Sequence, residues 1–235
     1  MAPKNTRIHL KIYLIIVLVF IIAISFFAYK IINKKTLDNE VTTVLNKNVL
    51  TDKFTTKTKT MGQYRKVELA IKKYMQDYTS YINKANNIIN DDSIKNILSA
   101  ENYTKDKPDF NNSFNILTTK TAEFNNLITN LQSLTNKEKI LSYIENEKAS
   151  NEMVNLYKNY LFGKNTQLNL ENNKTKIVEL QQKGLQILQT DQAVITLLKN
   201  NPNSWVVKEK EIYFYSNAVM NEYNNLISVI KNNME

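Results

Sequence analysis

The stretch "YRKVELAIKKYMQDYTSYINKANNII", residues 64–89, carries the clearest structural pattern in the chain. Its apolar residues recur alternately three and four positions apart, as they do along one face of an α-helix. These residues are Tyr64, Val67, Ile71, Tyr74, Tyr78, Tyr81, Ala85 and Ile88. Met75, Ile82 and Ile89 form a second line beside them, so the apolar face is wider than a two-stranded coiled coil requires. The pattern predicts a helix packed into a bundle.

The four tyrosines of this face allow two interpretations. Tyrosine can bury its ring while its hydroxyl stays at the edge of a core, and this is the interpretation we favour. The alternative is that the rings line a groove for a ligand.

Later segments repeat the same spacing and extend the predicted bundle. Residues 110–131, 140–161, 177–198 and 217–231 each place apolar residues at helical intervals. We expect Asp92 and Asp109 to cap helices, with a loop at 102–110 between them. The predicted core residues are Tyr64, Val67, Ile71, Tyr74, Tyr78, Tyr81, Ile88, Phe114, Leu117, Phe124 and Ile128.

An uncharged apolar segment, "IYLIIVLVFIIAISFFAY", occupies residues 12–29. With Ile31 and Ile32 it reaches about 20 residues, enough to cross a hydrocarbon core of roughly 30 Å. We therefore predict a transmembrane helix at 12–32 that contacts the lipid bilayer. A buried core helix is the alternative, but the flanking lysines argue against it.

Two questions about this segment remain open at the level of sequence. The apolar run is longer than the core of a typical cleaved signal peptide, which favours an uncleaved signal-anchor. Three basic residues lie on each side, and the α-amino group adds positive charge at the N-terminal side. The chain should therefore keep its N-terminus in the cytoplasm and place its C-terminal part outside.

The resulting plan has four parts. Residues 1–11 form a short basic cytoplasmic tail, and 12–32 form the transmembrane signal-anchor helix. Residues 33–62 form a stalk or linker, and 63–235 form a helical-bundle ectodomain. The predicted fold class is mainly α: an elongated bundle of about five helices after a single transmembrane helix, with one small β-hairpin near the C-terminus.

The hairpin is predicted at about 204–215, within "NPNSWVVKEKEIYFYSN" (201–217). Trp205-Val206-Val207 and the run 212–215 are strand formers on either side of the charged "KEKE". A turn at Glu209-Lys210 would pair them, although it lacks an Asn-Gly or Asp-Gly signal. Trp205 and Phe214 are the expected anchors onto the bundle.

The hairpin admits two roles. It is either an apolar plug that closes the end of the bundle, which we favour, or a recognition element, because exposed Trp and Tyr side chains favour binding. The residues of the possible interaction surface are Trp205, Tyr213 and Tyr215.

Composition excludes several kinds of chemistry. The chain has no Cys, and its one histidine, His9, lies beside the apolar segment. Thiolate or His-based metal sites and Ser-His or Cys-His catalysis are therefore not expected in the soluble part. No Gly-rich loop precedes a helix, so phosphate-cradling motifs are missing. We name no catalytic residue, no metal ligand and no cofactor.

The net charge of +9 is not a nucleic-acid signal. Residues 1–35 carry +6 of it and no acid, so the excess mainly flanks the apolar segment. No nucleic-acid partner is expected. The abundance of Asn, Lys, Ile and Tyr, whose codons are AT-rich, suggests a low-G+C bacterium.

Three functions remain in competition. We favour an interaction or scaffold module of the bacterial cell surface, anchored by one membrane span, which binds a protein or another component of the cell envelope without catalysis. The alternative is a ligand-binding or sensory ectodomain that signals through a partner protein. An enzyme acting on wall glycans is the weakest of the three.

Overall fold

The computed structural model describes the backbone of residues 4–163 and 170–234, and the side chains of 16–163 and 173–233. The side chains of the predicted basic tail (1–11) lie outside these ranges. The described part is mainly helical, with one two-stranded antiparallel sheet, and this confirms the predicted fold class.

The described residues form nine helices and two strands. In chain order they are α1 (Lys4–Leu45), α2 (Gly62–Ile89), α3 (Asp92–Ile97), α4 (Ala100–Asp106), α5 (Asn111–Ser133), α6 (Lys137–Asn146), α7 (Asn151–Phe162), α8 (Leu170–Asn200), β1 (Trp205–Lys208), β2 (Glu211–Phe214) and α9 (Asn217–Met234). The short helices α3 and α4, and the break between α6 and α7, raise the number above the predicted five or so.

Helix α1 is one unbroken helix with two different environments. From Ile16 to Ile32 its side chains are exposed, and Phe20, Phe27 and Ile31 are each more than 60 % accessible. Beyond Asn33, Leu37 and Val41 are buried. Within the described residues, α1 is the one helix long and apolar enough to cross a membrane.

The chain divides into two compact units, each assembled from separate stretches of sequence. Unit 1 comprises Met1–Asn48, Lys53–Met75 and Leu141–Leu168, and unit 2 comprises Val49–Asp52, Gln76–Ile140 and Asn169–Glu235. Residues 33–48, which we predicted as part of a stalk, contribute Leu37, Val41 and Val44 to the core of unit 1.

The core of unit 1 is built where α1, the first half of α2, the end of α6 and α7 bury their apolar faces. Tyr74 packs edge-to-face against Tyr143, with ring centroids 5.7 Å apart. The fully buried side chains of the unit 1 core are Leu37, Val67, Ala70, Ile71, Tyr74, Ile144, Tyr157 and Leu161.

The core of unit 2 includes a close approach between α5 and α8. A methyl group at Gly184 would lie 2.2 Å from Phe124 Cζ and 2.9 Å from Ile89 Cδ1, so only glycine fits there without displacement. Gly184 therefore allows a close approach between the two helices. Further buried residues of this core are Ile94, Ile97, Leu117, Ile128, Leu131, Val194, Ile195 and Leu198.

Most of the predicted core residues lie in these two cores. Nine of the eleven are buried: Tyr64, Val67, Ile71, Tyr74, Tyr78, Ile88, Leu117, Phe124 and Ile128. Tyr81 and Phe114 are half-buried. The ring of Phe114 is covered on one side by Lys199, whose Nζ lies 5.4 Å from the ring centroid.

The start of α3 differs by one residue from the expectation. Asp91, not Asp92, is the N-cap, because its carboxylate accepts the Ser93 backbone N–H at 2.8 Å. Asp91 also pairs with Lys120 at 3.0 Å, and these hydrogen bonds lower the pKa of Asp91 to about 2. Asp92 is the first residue of the helix instead.

The predicted loop at 102–110 is wrong over its first half. Helix α4 covers Ala100–Asp106 because Ser99 caps it, accepting the Asn102 N–H at 3.1 Å. Asp109 does not cap α5. Asp106 takes that part, since its carboxylate accepts the backbone N–H groups of Asn112 and Ser113 at 3.1 and 2.7 Å.

Candidate functional site

The C-terminal hairpin carries the predicted interaction residues. Strand β1 pairs antiparallel with β2, with Trp205 opposite Phe214 and Val206 opposite Tyr213. Glu209 and Lys210 form the two-residue turn, with φ of 51° and 65°. A type I′ turn requires positive φ at both positions, and its twist matches that of the strands. The hairpin and its turn therefore lie where the sequence predicted them.

Trp205 fixes the hairpin to unit 2. It is buried, and its Nε1 donates a hydrogen bond to the Leu198 carbonyl of α8 at 2.9 Å. Its ring lies 6.1 Å from that of Tyr103 and 6.2 Å from that of Phe110, measured between centroids. The indole of Trp205 is consequently part of the interior and not of the exposed surface.

The second anchor lies at the other strand. Phe214 is half-buried, and its ring centroid is 5.0 Å from that of Tyr223 on α9. The hydroxyl groups of Tyr223 and Tyr103 are 3.2 Å apart. Aromatic contacts thus hold the hairpin against Tyr103 of α4, Phe110 and Tyr223 of α9, and the indole hydrogen bond holds it against α8.

The opposite face of the hairpin is exposed. Successive side chains of a strand alternate between the two faces of its sheet. Tyr213 and Tyr215 therefore share one face, where they are 44 % and 67 % accessible. Lys208 and Glu211 form the charged end of the same face. We call these four residues the hairpin face.

A groove lies between α8 and α9. It has a volume of about 540 Å³, and its walls are mainly polar. Gln192, Thr196 and Asn200 line it from α8, and Glu222 and Leu226 line it from α9. Such a concave surface could hold a small polar ligand, but it is wide open to solvent.

Asp191, on the buried side of α8, is the least expected polar residue of unit 2. It is 2 % exposed, and burial raises the pKa of Asp191 to about 7. The acid occupies a position of the apolar seam that the sequence pattern assigned to this helix.

Unit 1 contains a buried network of charges. Lys72 Nζ lies 2.8 Å from Glu40 Oε2 and 2.6 Å from Glu68 Oε1, and all three residues are buried. Lys59 reaches the other oxygen of Glu40 at 2.6 Å. The i,i+4 spacing of Glu68 and Lys72 could have suggested half of this network, but no sequence signal indicates Glu40.

Hydrogen bonds keep this network ionised. Burial disfavours the charged form of Glu68, but bonds from Lys72 and from Thr60 outweigh burial and lower its pKa. Burial also opposes the charge on Lys72, yet Glu40 and Glu68 together raise its pKa. The network ties the loop at 57–60 to α1 and α2. Its role is structural, because every charge in it is matched.

Within the described ranges, no three His, Asp or Glu side chains come together as a metal site. The chain matches no protein-family model, no curated protein and no solved structure.

Proposed function

We propose that this chain is a single-pass protein of a bacterial cell envelope, which uses its hairpin face to bind another protein and carries out no catalysis. The observation that supports this most directly is the pair Tyr213 and Tyr215. Both rings are exposed on the same face of a hairpin whose opposite face packs on unit 2 through buried Trp205 and half-buried Phe214. Exposed tyrosines on a rigid element are typical of binding hot spots.

The apolar part of α1 is the proposed membrane anchor. Seventeen consecutive side chains, 16–32, are exposed around the helix, and all but Ser25, Tyr29 and Lys30 are fully apolar. A surface of this size is stable in lipid and not in water. The charges at Lys4, Arg7 and Lys11 favour a cytoplasmic N-terminus, so the residues that follow the apolar part of α1 would lie outside the cytoplasm.

Orientation can be tested with a single cysteine, because the chain has none of its own. Asn225→Cys places a thiol at an exposed position of α9. A membrane-impermeant maleimide should label this variant in intact cells. Labelling that appears only after the cells are lysed would overturn the proposed orientation.

Binding at the hairpin face can be tested by crosslinking in cells. A photoreactive amino acid at Tyr213 should give one discrete adduct, and the same amino acid at the exposed Asn225 should not. Tyr215→Ser should remove the adduct while the melting temperature stays the same, since surface substitutions usually change stability by less than about 0.5 kcal/mol. Adducts of equal yield at both positions would contradict a specific surface.

The groove between α8 and α9 supports a second candidate, a ligand-binding or sensory ectodomain. Its polar lining and its volume of about 540 Å³ suit a small polar molecule. A thermal-shift screen of the purified chain against amino acids, sugars and nucleotides tests this idea. A hit should be lost in Glu222→Gln or Thr196→Val and kept in Tyr213→Ser.

A further inference from the structure

The loop before α2 lies against the end of the exposed apolar part of α1. The Met61 N–H donates to Asn33 Oδ1 at 2.8 Å, and Asn33 directly follows Ile32, the last residue of that part. A methyl group at Gly62 would lie 2.5 Å from Tyr29 Oη, which sits one helical turn deeper. These contacts fix residues 61 and 62 at the level where the apolar surface of α1 ends.

Met61 is exposed at this level. Its side chain is 65 % accessible, although most large apolar residues of the bundle are buried. Each residue of an α-helix advances about 1.5 Å, so Met61 lies within a few ångströms of the apolar boundary. The polar layer on each side of a bilayer is about 5–8 Å thick, which is enough to include it.

Two cations, Lys57 and Arg65, lie around Met61 and are unpaired within the described part of the chain. Lys57 and Arg65 line a concave surface of about 500 Å³, together with residues 56, 58–60 and the start of α2. Glu40 and Glu68, whose network contacts this loop, are engaged by Lys72 and, for Glu40, by Lys59. Among the described residues, neither Lys57 nor Arg65 has an ion-pair partner.

We infer that residues 56–65, here called the juxtamembrane loop, bind the headgroups of anionic phospholipids. Met61 enters the interfacial layer, and Lys57 and Arg65 contact lipid phosphates. The inference rests on the proposed insertion of α1 in a bilayer. Continuity with the apolar helix identifies lipid as the occupant, since any molecule at this level must share the surface with the bilayer. Basic residues beside a membrane span attract anionic lipids.

The depth of Met61 can be measured on the full chain in vesicles. Met61→Cys carries an environment-sensitive fluorophore as the only labelled thiol, and lipids with a spin label near the headgroup act as quenchers. We expect strong quenching at residue 61. Thr42→Cys is the matched control, because Thr42 is exposed on the same helix as Asn33 but about 15 Å beyond Ile32. It should show little quenching.

Lipid selectivity is measured with the same fluorophore at residue 61. Quenching by spin-labelled phosphatidylglycerol is compared with quenching by spin-labelled phosphatidylcholine, and the ratio should exceed one. Lys57→Gln combined with Arg65→Gln should bring the ratio towards one. Lys73→Gln, an exposed cation two turns further along α2, should leave it unchanged.

Flotation separates failure of this inference from failure of the anchor. A chain that leaves the vesicles in alkaline carbonate would contradict membrane insertion itself. If the chain stays with the vesicles but residue 61 is no more quenched than residue 42, the anchor stands and the juxtamembrane loop does not touch lipid. If the quenching ratio stayed unchanged in the variant with both Lys57→Gln and Arg65→Gln, the proposed role of these two charges would be wrong.

Discussion

Trp205 donates its indole N–H to the carbonyl oxygen of Leu198, which belongs to the last turn of α8. The last four carbonyls of a helix have no partner inside the helix. One side chain of the hairpin therefore satisfies the end of the helix that precedes it, while its ring fills the space beside Tyr103 and Phe110. The hairpin and the end of α8 are stabilised together.

Replacing this side chain should destabilise unit 2 strongly. Trp205→Ala removes a buried ring, which typically costs about 3–5 kcal/mol. Trp205→Phe keeps most of the ring and loses only the indole hydrogen bond, while the Leu198 carbonyl still accepts the Asn201 N–H at 3.3 Å, so it should cost less, about 0.5–1.5 kcal/mol. Melting temperatures measured in nanodiscs should fall in the order wild type, Phe, Ala. An unchanged melting temperature in Trp205→Ala would contradict the plug role.

Gly184→Ala should lower stability even though alanine is the better helix former. Helix propensity alone would favour alanine by about 1 kcal/mol. The added methyl would meet the ring of Phe124, and overpacking of this kind typically costs about 1–3 kcal/mol. Urea unfolding of Gly184→Ala, Phe124→Leu and the double variant gives the coupling between the two positions. We expect the double variant to be more stable than the sum of the single effects predicts.

Asp191 should make unit 2 less stable as the pH rises. The folded-state pKa of Asp191 is about 7, above its ordinary value of 3.8, so the folded protein holds this proton more tightly than the unfolded chain. The stabilisation of the folded state that comes from this more tightly held proton is complete below about pH 4. It is lost progressively towards pH 7, by about 1.4 kcal/mol for each pH unit.

Asp191→Asn should remove this dependence. The difference in melting temperature between the variant and the wild type should grow in favour of Asn from pH 4.5 to pH 7.5. The exposed Asp109→Asn serves as the control and should show a much smaller change with pH. Parallel stability curves for wild type and Asp191→Asn would show that the carboxyl is ionised in the folded protein.

The charge network of unit 1 should tolerate the loss of a pair better than the loss of one member. Lys72→Met leaves Glu40 and Glu68 buried without their shared cation, and breaking a buried ion pair in this way costs about 3–5 kcal/mol. Adding Glu68→Gln should recover part of the loss. Lys105→Met, which breaks an exposed pair with Glu101, is the control and should have little effect. Equal losses at Lys72 and Lys105 would argue against burial as the cause.

Local patterns in the sequence predicted the elements well. The 3/4 spacing of residues 64–89 predicted α2 and which of its residues are buried, because burial follows helical periodicity directly. The hairpin was predicted from strand formers alone, although Glu209 and Lys210 are not typical turn residues. Here the flanking strands, and not turn chemistry, determine the positive φ values.

Properties that depend on distant residues were not predictable. Periodicity shows that a helix face is buried but not which segment covers it, so the division into two units is invisible in sequence. The same applies to Glu40, which pairs with a lysine 32 positions away. The cap at Asp91 was assigned to Asp92 because adjacent Asp residues have equal cap preferences. The cap at Ser99 was missed because no helix was predicted at 100–106.

The unbroken course of α1 also has a mechanical consequence. No glycine or proline interrupts the helix between Ile16 and Leu45, and its far end is locked into the core of unit 1 through Leu37, Val41 and Val44. A swivel needs a break in the helical hydrogen bonds, and none exists here. Any rotation of the apolar part of α1 about its own axis must therefore rotate the rest of unit 1 through the same angle.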